Sequence, residues 1–273
     1  MNKTNILSLV LSLLLIFPTF ESSAADGDFS VVAGGSINYK KLAFQIGEDT
    51  FKPQLVTFDL AFTAVYKSFY ATLNYDKAIQ DDYIYDYDAA NQDDVIMTMS
   101  REDAGLTFGY SFANSLSVFG GYLDGTTTAI RPGNFSAIDF DPLAPPPGDE
   151  TDRFNGTAEL TMSGPFIGVG YAMPVGQQST LSFNVAYADM GGEFNFDNGS
   201  SKDSHKGDTT GFSYGIGVSG PISDSLAYRI GIKITRYEFD DSDYIPGLSV
   251  PGNDDFTHDE DFSIFYVGVS NYF

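Results

Sequence analysis

Five separate stretches of this chain alternate large apolar with small residues at a period of two, and that pattern constrains the fold more than any other feature. Successive side chains of a strand point to opposite faces, so such alternation means that the two faces meet different surroundings. Leu226, Tyr228, Ile230, Ile232 and Ile234 share one face, against Ala227, Arg229, Gly231, Lys233 and Thr235. Residues 212–219, 181–188, 104–112 and 56–66 repeat the pattern. The second face is mostly Gly, Ala, Ser, Thr and Asn, whereas the outward face of a water-soluble sandwich or barrel is richly charged. Small residues fit the crowded inside of a narrow barrel, and large apolar ones fit a wall facing lipid. Aromatic residues at the ends of these runs (Tyr66, Tyr110, Tyr187, Tyr228, Tyr237) fit interfacial girdles. No comparable stretch of helical period follows residue 25.

Continued along the chain, the pattern gives ten strands: 28–40, 54–66, 69–79, 100–112, 116–128, 158–173, 180–193, 209–220, 226–239 and 261–273. Eight and twelve are the neighbouring even counts. The connections alternate between short (67–68, 113–115, 174–179, 221–225) and long (41–53, 80–99, 129–157, 194–208, 240–260). Tight turns at one end and long loops at the other are the rhythm of an up-and-down antiparallel transmembrane barrel with both termini on the periplasmic side. In 158–173 the apolar parity shifts around Gly164-Pro165, which predicts a bulge. Before the barrel, Lys3, the apolar run Ile6 to Phe17, and Ser23-Ala24-Ala25 have the layout of a secretory signal peptide, which predicts cleavage after residue 25. The expected organisation is therefore a signal over 1–25 and one all-β barrel domain over 26–273.

Composition narrows the partners. The chain holds 14 Lys+Arg and 37 Asp+Glu, a net charge of −23, which argues against nucleic acid because phosphate binding needs a basic footprint. It has no Cys, hence no disulfide, thiolate metal site or Cys nucleophile. The long connections hold 23 acids and 6 bases, which predicts an acidic crown on the outer face. Such a crown is expected to attract divalent cations weakly, without a dedicated metal site or cofactor, and to bridge through them to anionic lipopolysaccharide.

The chain ends Phe265-Tyr266-Val267-Gly268-Val269-Ser270-Asn271-Tyr272-Phe273. Phe265, Val267, Val269 and Phe273 resemble the C-terminal signature of bacterial outer-membrane barrels, while Asn271 departs from it. The resemblance implies recognition by the barrel-assembly machinery and residence in the bacterial outer membrane among its lipids.

Candidate site residues fall into two groups. Asp59, Glu159, Arg229 and Lys233 sit on small-residue faces and are expected in the lumen, with Glu102 joining them if its strand begins early enough. Such charges serve as an internal ion-pair network or as the selectivity element of a narrow channel. In the long connections, Asp86-Tyr87-Asp88 lies in the second and Asp203-Ser204-His205 in the fourth. These two motifs resemble the Asp-x-Asp and Asp-x-His of omptin proteases, ten-stranded outer-membrane barrels. The resemblance implies an Asp–His pair activating water opposite a carboxylate pair. The rest of the chain does not resemble that family. The expected function is a non-enzymatic one, structural and surface-contacting or a narrow passive channel, with omptin-like proteolysis by Asp86, Asp88, Asp203 and His205 as the alternative.

Overall fold

The computed structural model describes residues 29–46, 49–80, 82–88, 93–113, 115–135, 154–176, 178–197, 202–240 and 257–273. The expected signal segment 1–25 lies outside them, as does nearly half of the long connections, including 136–153 and 241–256. Twelve strands follow in chain order: β1 (Phe29–Ile46), β2 (Asp49–Phe51), β3 (Gln54–Tyr66), β4 (Phe69–Gln80), β5 (Asp82–Asp88), β6 (Asp93–Ser111), β7 (Leu116–Phe135), β8 (Phe154–Val175), β9 (Ser179–Asp197), β10 (Lys202–Pro221), β11 (Leu226–Asp240) and β12 (Thr257–Tyr272).

Ten of these close a barrel. All pairings are antiparallel between neighbours, and β12 returns to β1 from Val32↔Tyr272 to Phe44↔Glu260. Closure leaves no unpaired edge within the wall, which a sheet surrounded by lipid requires. The other two strands are extensions at the loop end. β2 prolongs β3 in the same register against β1, interrupted where Pro53 cannot donate. β5 prolongs β4 and pairs with the outer part of β6 from Asp82↔Met99 to Asp88↔Asp93. The tight turns at the opposite end include Lys67 (φ 55°) and Ser115 (φ 70°), both left-handed, and Gly176 (φ 67°).

The outer wall is apolar over a band adjoining the turns. Phe62 is 50% exposed, Ile167 67% and Ile232 49%. Toward the loop end the same face turns polar: Lys77 pairs with Glu102 at 2.9 Å and Arg236 with Asp261 at 3.6 Å, all outward. The boundary lies at Tyr75/Lys77 on β4, Tyr122/Asp124 on β7, Tyr187/Asp189 on β9 and Ile234/Arg236 on β11. Beyond it the barrel is built as in water, with apolar side chains inside.

That inversion corrects the expected bulge in β8. Ser163↔Gly191 and Phe166↔Ala188 keep one register across Gly164-Pro165, so the strand does not slip. Its even positions face the lumen throughout: Leu160, Met162 and Phe166 belong to the interior cluster. What changes at Gly164 is the surroundings, not the parity. A Cβ on Gly164 would sit 2.5 Å from Met190 Cα, so the glycine is needed for close approach of β8 and β9.

Candidate functional site: a lumen divided by charge

Two layers fill the barrel between its ends. At the loop end lies an apolar septum of Leu42, Met99, Ala129, Leu160, Met162, Ala188, Met190, Tyr237, Phe239 and Phe262, all buried. These come from β1, β6, β7, β8, β9, β11 and β12, so the septum crosses the interior rather than coating one side. Phe239 on β11 covers Gly192 two strands along on β9, where a Cβ would lie 2.5 Å from its ring. Tyr237 belongs to this interior layer, which corrects its expected place in an interfacial girdle: its position falls beyond the polar boundary, where apolar residues point inward.

Toward the turns the interior becomes polar, and seven charges of its described side chains form one connected chain. Arg229 Nη2 donates to Asp59 Oδ1 at 2.8 Å and to Ser36 Oγ at 3.3 Å. Ser36 donates at 3.0 Å to Asn38 Oδ1, and Asn38 Nδ2 donates at 2.6 Å to Asp76 Oδ2. Lys40 Nζ sits 3.2 Å from Asp76 Oδ2 and 2.9 Å from Asp103 Oδ2. Arg101 then grips Asp103 Oδ1 at 2.7 Å and Glu260 Oε2 at 3.0 Å, and its Nη1 donates to Thr127 Oγ1 at 2.7 Å. The Arg101 guanidinium also lies 4.9 Å from the centre of the Phe262 ring, joining the charged layer to the septum. Glu260 is 1% exposed and Arg101 3%, and such burial is tolerable only with partners of this quality.

Among the described side chains the lumen holds four cations (Lys40, Arg101, Arg229, Lys233) and four carboxylates (Asp59, Asp76, Asp103, Glu260). The lumen is therefore neutral inside a chain of net charge −23. Asp76 and Arg229 line a cavity of about 210 Å³, large enough for water to serve Asp76 Oδ1 and Arg229 Nε, which have no protein hydrogen-bond partner.

Of the expected lumen charges, Asp59, Arg229 and Lys233 line this interior. Glu159 does not. It alternates with the buried Leu160 and pairs with Thr128, so it lies on the outer face beyond the apolar band. The apolar-outside rule that placed it inside has already reversed at that height. Glu102 is outward too, 2.9 Å from Lys77, while its neighbours Arg101 and Asp103 are the lumen residues. Lys40, Asp76, Arg101, Asp103 and Glu260 were missed. Parity was available for three of them: Lys40 follows Ser36 and Asn38, and Arg101 and Asp103 precede Gly105 and Thr107. Glu260 fell in a segment read as loop.

Asp86 and Asp88 are on β5, and Asp203 and His205 on β10, so the two motifs are carried by extended strands rather than loops. Their side chains lie outside the described ones. Backbone register still fixes their level. Asp86 pairs with Val95, four residues beyond the septum residue Met99, and His205 lies four residues beyond Thr209, which packs by Phe239 and Gly192. Both motifs thus stand ~13 Å along their strands beyond the septum. β6 and β10 are separated by β7, β8 and β9 in the ring of ten, nearly opposite each other. Among the described residues no cluster of His, Asp or Glu is arranged to hold a metal ion.

No protein-family model matches the chain, and no curated protein matches its sequence. Solved structures do match in shape. The outer membrane protease OmpT from Escherichia coli aligns at 9% identity over 93% of this chain and 99% of that one, with a TM-score of 0.58. The translocator domain of the autotransporter NalP from Neisseria meningitidis aligns at 12% identity over 98% and 95%, with a TM-score of 0.48. The toluene transporter TodX of Pseudomonas putida aligns at 10% identity over 96% and 92%, with a TM-score of 0.37. The fold is that of bacterial outer-membrane β-barrels. Fold alone assigns no activity.

Proposed function

We propose that this chain is an integral outer-membrane barrel that does not conduct: a rigid scaffold whose loop-end strands and acidic connections form a surface for contact outside the cell. The observation that carries this reading is the septum. Seven strands contribute buried apolar side chains to it and an ion-pair chain backs it, which supports a closed lumen over a passive channel. Residues 1–25 would direct export, Phe265, Val267, Val269 and Phe273 would present the assembly signal, and the acidic connections would meet lipopolysaccharide through divalent cations. Proteoliposomes containing the refolded protein are expected to swell in small sugars no faster than empty liposomes. Swelling at a porin-like rate would overturn the reading.

Omptin-like proteolysis is the second reading. It is favoured by the shape shared with OmpT and by the equal height of the Asp86/Asp88 and Asp203/His205 motifs on nearly opposite walls. An acidic mouth of this kind suits cationic peptides. Incubation with a peptide containing paired basic residues distinguishes the readings: cleavage by the parent protein that His205→Ala abolishes establishes the protease. Equal inactivity of both removes it.

A further inference from the structure

The interior charges are unevenly placed around the wall. Asp59, Asp76 and Asp103 line the smaller cavity, and Glu260 is held beside it by Arg101. The larger cavity, about 480 Å³, contains no Asp or Glu in its lining, and its only charged residue is Lys233, which stands between it and the smaller cavity and lines both. In a chain with 37 acidic residues, that leaves a half-lumen whose lining carries no carboxylate and a single ammonium.

Lys233 also differs from the other lumen cations. Lys40, Arg101 and Arg229 each lie within 3.0 Å of a carboxylate oxygen. Lys233 makes no ion pair or hydrogen bond among the described residues and remains exposed to the cavity. Around it the wall offers neutral donors, Asn74, Asn184, Thr107 and Ser213, and the rings of Tyr70 and Phe119. The lining runs from Ser117 and Ala172, close to the turn end, up to Tyr237 and Ala188 under the septum. Its volume is within the ~300–1,000 Å³ typical of small-molecule sites.

We propose that this half-lumen is a binding site for a small organic carboxylate, entering from the turn end, its charge on Lys233 and its body against Tyr70 and Phe119. One unpaired ammonium matches one negative charge; a dianion would leave the second uncompensated. The entry route rests on the reading of a barrel closed at the loop end.

Because the chain has no Cys, Ser213→Cys supplies a single thiol in the cavity wall. Ser213 pairs with Thr235, diagonal to Lys233. The refolded variant is labelled with anionic and cationic methanethiosulfonate reagents, with folding verified by heat-modifiable gel mobility. The anionic reagent is expected to react about tenfold faster, a steering effect of ordinary size for a charge-lined cleft. Adding Lys233→Gln should abolish that preference, and Lys233→Arg should keep it. Millimolar benzoate should slow labelling with Lys233 present and not in Lys233→Gln, while inorganic phosphate should protect neither. A cationic preference, no labelling, an unchanged ratio in Lys233→Gln, or protection by phosphate instead of benzoate overturns the proposal. In proteoliposomes, labelling by reagent applied to the loop side would sink the closed-barrel reading while leaving the Lys233 preference standing.

Discussion

Arg101 connects the two layers of the lumen, touching Asp103, Glu260, Thr127 and the Phe262 ring at once. Removing it strands the buried Glu260 and leaves Asp103 with Lys40 alone. Arg101→Ala is therefore expected to destabilise the folded barrel by about 3–5 kcal/mol. Arg101→Met combined with Glu260→Gln should recover much of that loss, because the desolvated charges are removed together. Urea unfolding followed by gel mobility measures both; equal loss in the single and double variants would mean that the pair itself matters little. Outward pairs behave differently. Lys77→Ala, which breaks an exposed contact with Glu102, should change stability by under about 1 kcal/mol.

At the scale of strands, β8 carries the sharpest test, since neighbouring residues have opposite fates. Leu160→Ala opens a cavity in the septum and should cost about 2–5 kcal/mol, while Glu159→Ala, on the outer polar face, should stay within about 0.5 kcal/mol. Comparable losses at both positions would refute the assigned parity. The β9–β10 arm adds a pH dependence. Ser204 and Lys206 hold the Glu193 carboxyl below its ordinary value, so this contribution is present above the unfolded carboxylate range and fades as pH falls through the folded one. Amide protection along this arm, corrected for the intrinsic pH dependence of exchange, should weaken slightly in acid, and that weakening should be absent in Glu193→Gln.

The strand map was legible where lipid imposes the pattern. β3 begins and ends where alternation placed it, and the turn ends of the other strands fall within one or two residues. The loop ends ran further than read, by seven residues in β6 and β10, because beyond the polar boundary the outer face no longer has to be apolar and the alternation reverses or fades. The same reversal put Glu159 on the wrong face and hid Glu260 in an apparent loop. Asp59, Arg229 and Lys233 were readable because they interrupt small-residue faces inside the apolar band. Their partners required knowing which strands meet: Arg229 and Asp59 are 170 residues apart and face each other only after β12 closes on β1.

For the whole molecule, a neutral lumen under an acidic exterior separates two tasks. Interior charges hold the wall in one geometry, and exterior acids are left for the proposed contacts with cations and lipid headgroups, which salt would screen over ~8–10 Å. If divalent cations bridge the connections to lipopolysaccharide, a chelator should lower the unfolding temperature in lipopolysaccharide-containing vesicles and leave it unchanged in neutral detergent. The central claim, however, is that the barrel is closed. Single-channel recording of the refolded protein in a planar bilayer tests it most directly. A silent trace across the voltage range is the predicted result, and stable unitary openings would contradict it.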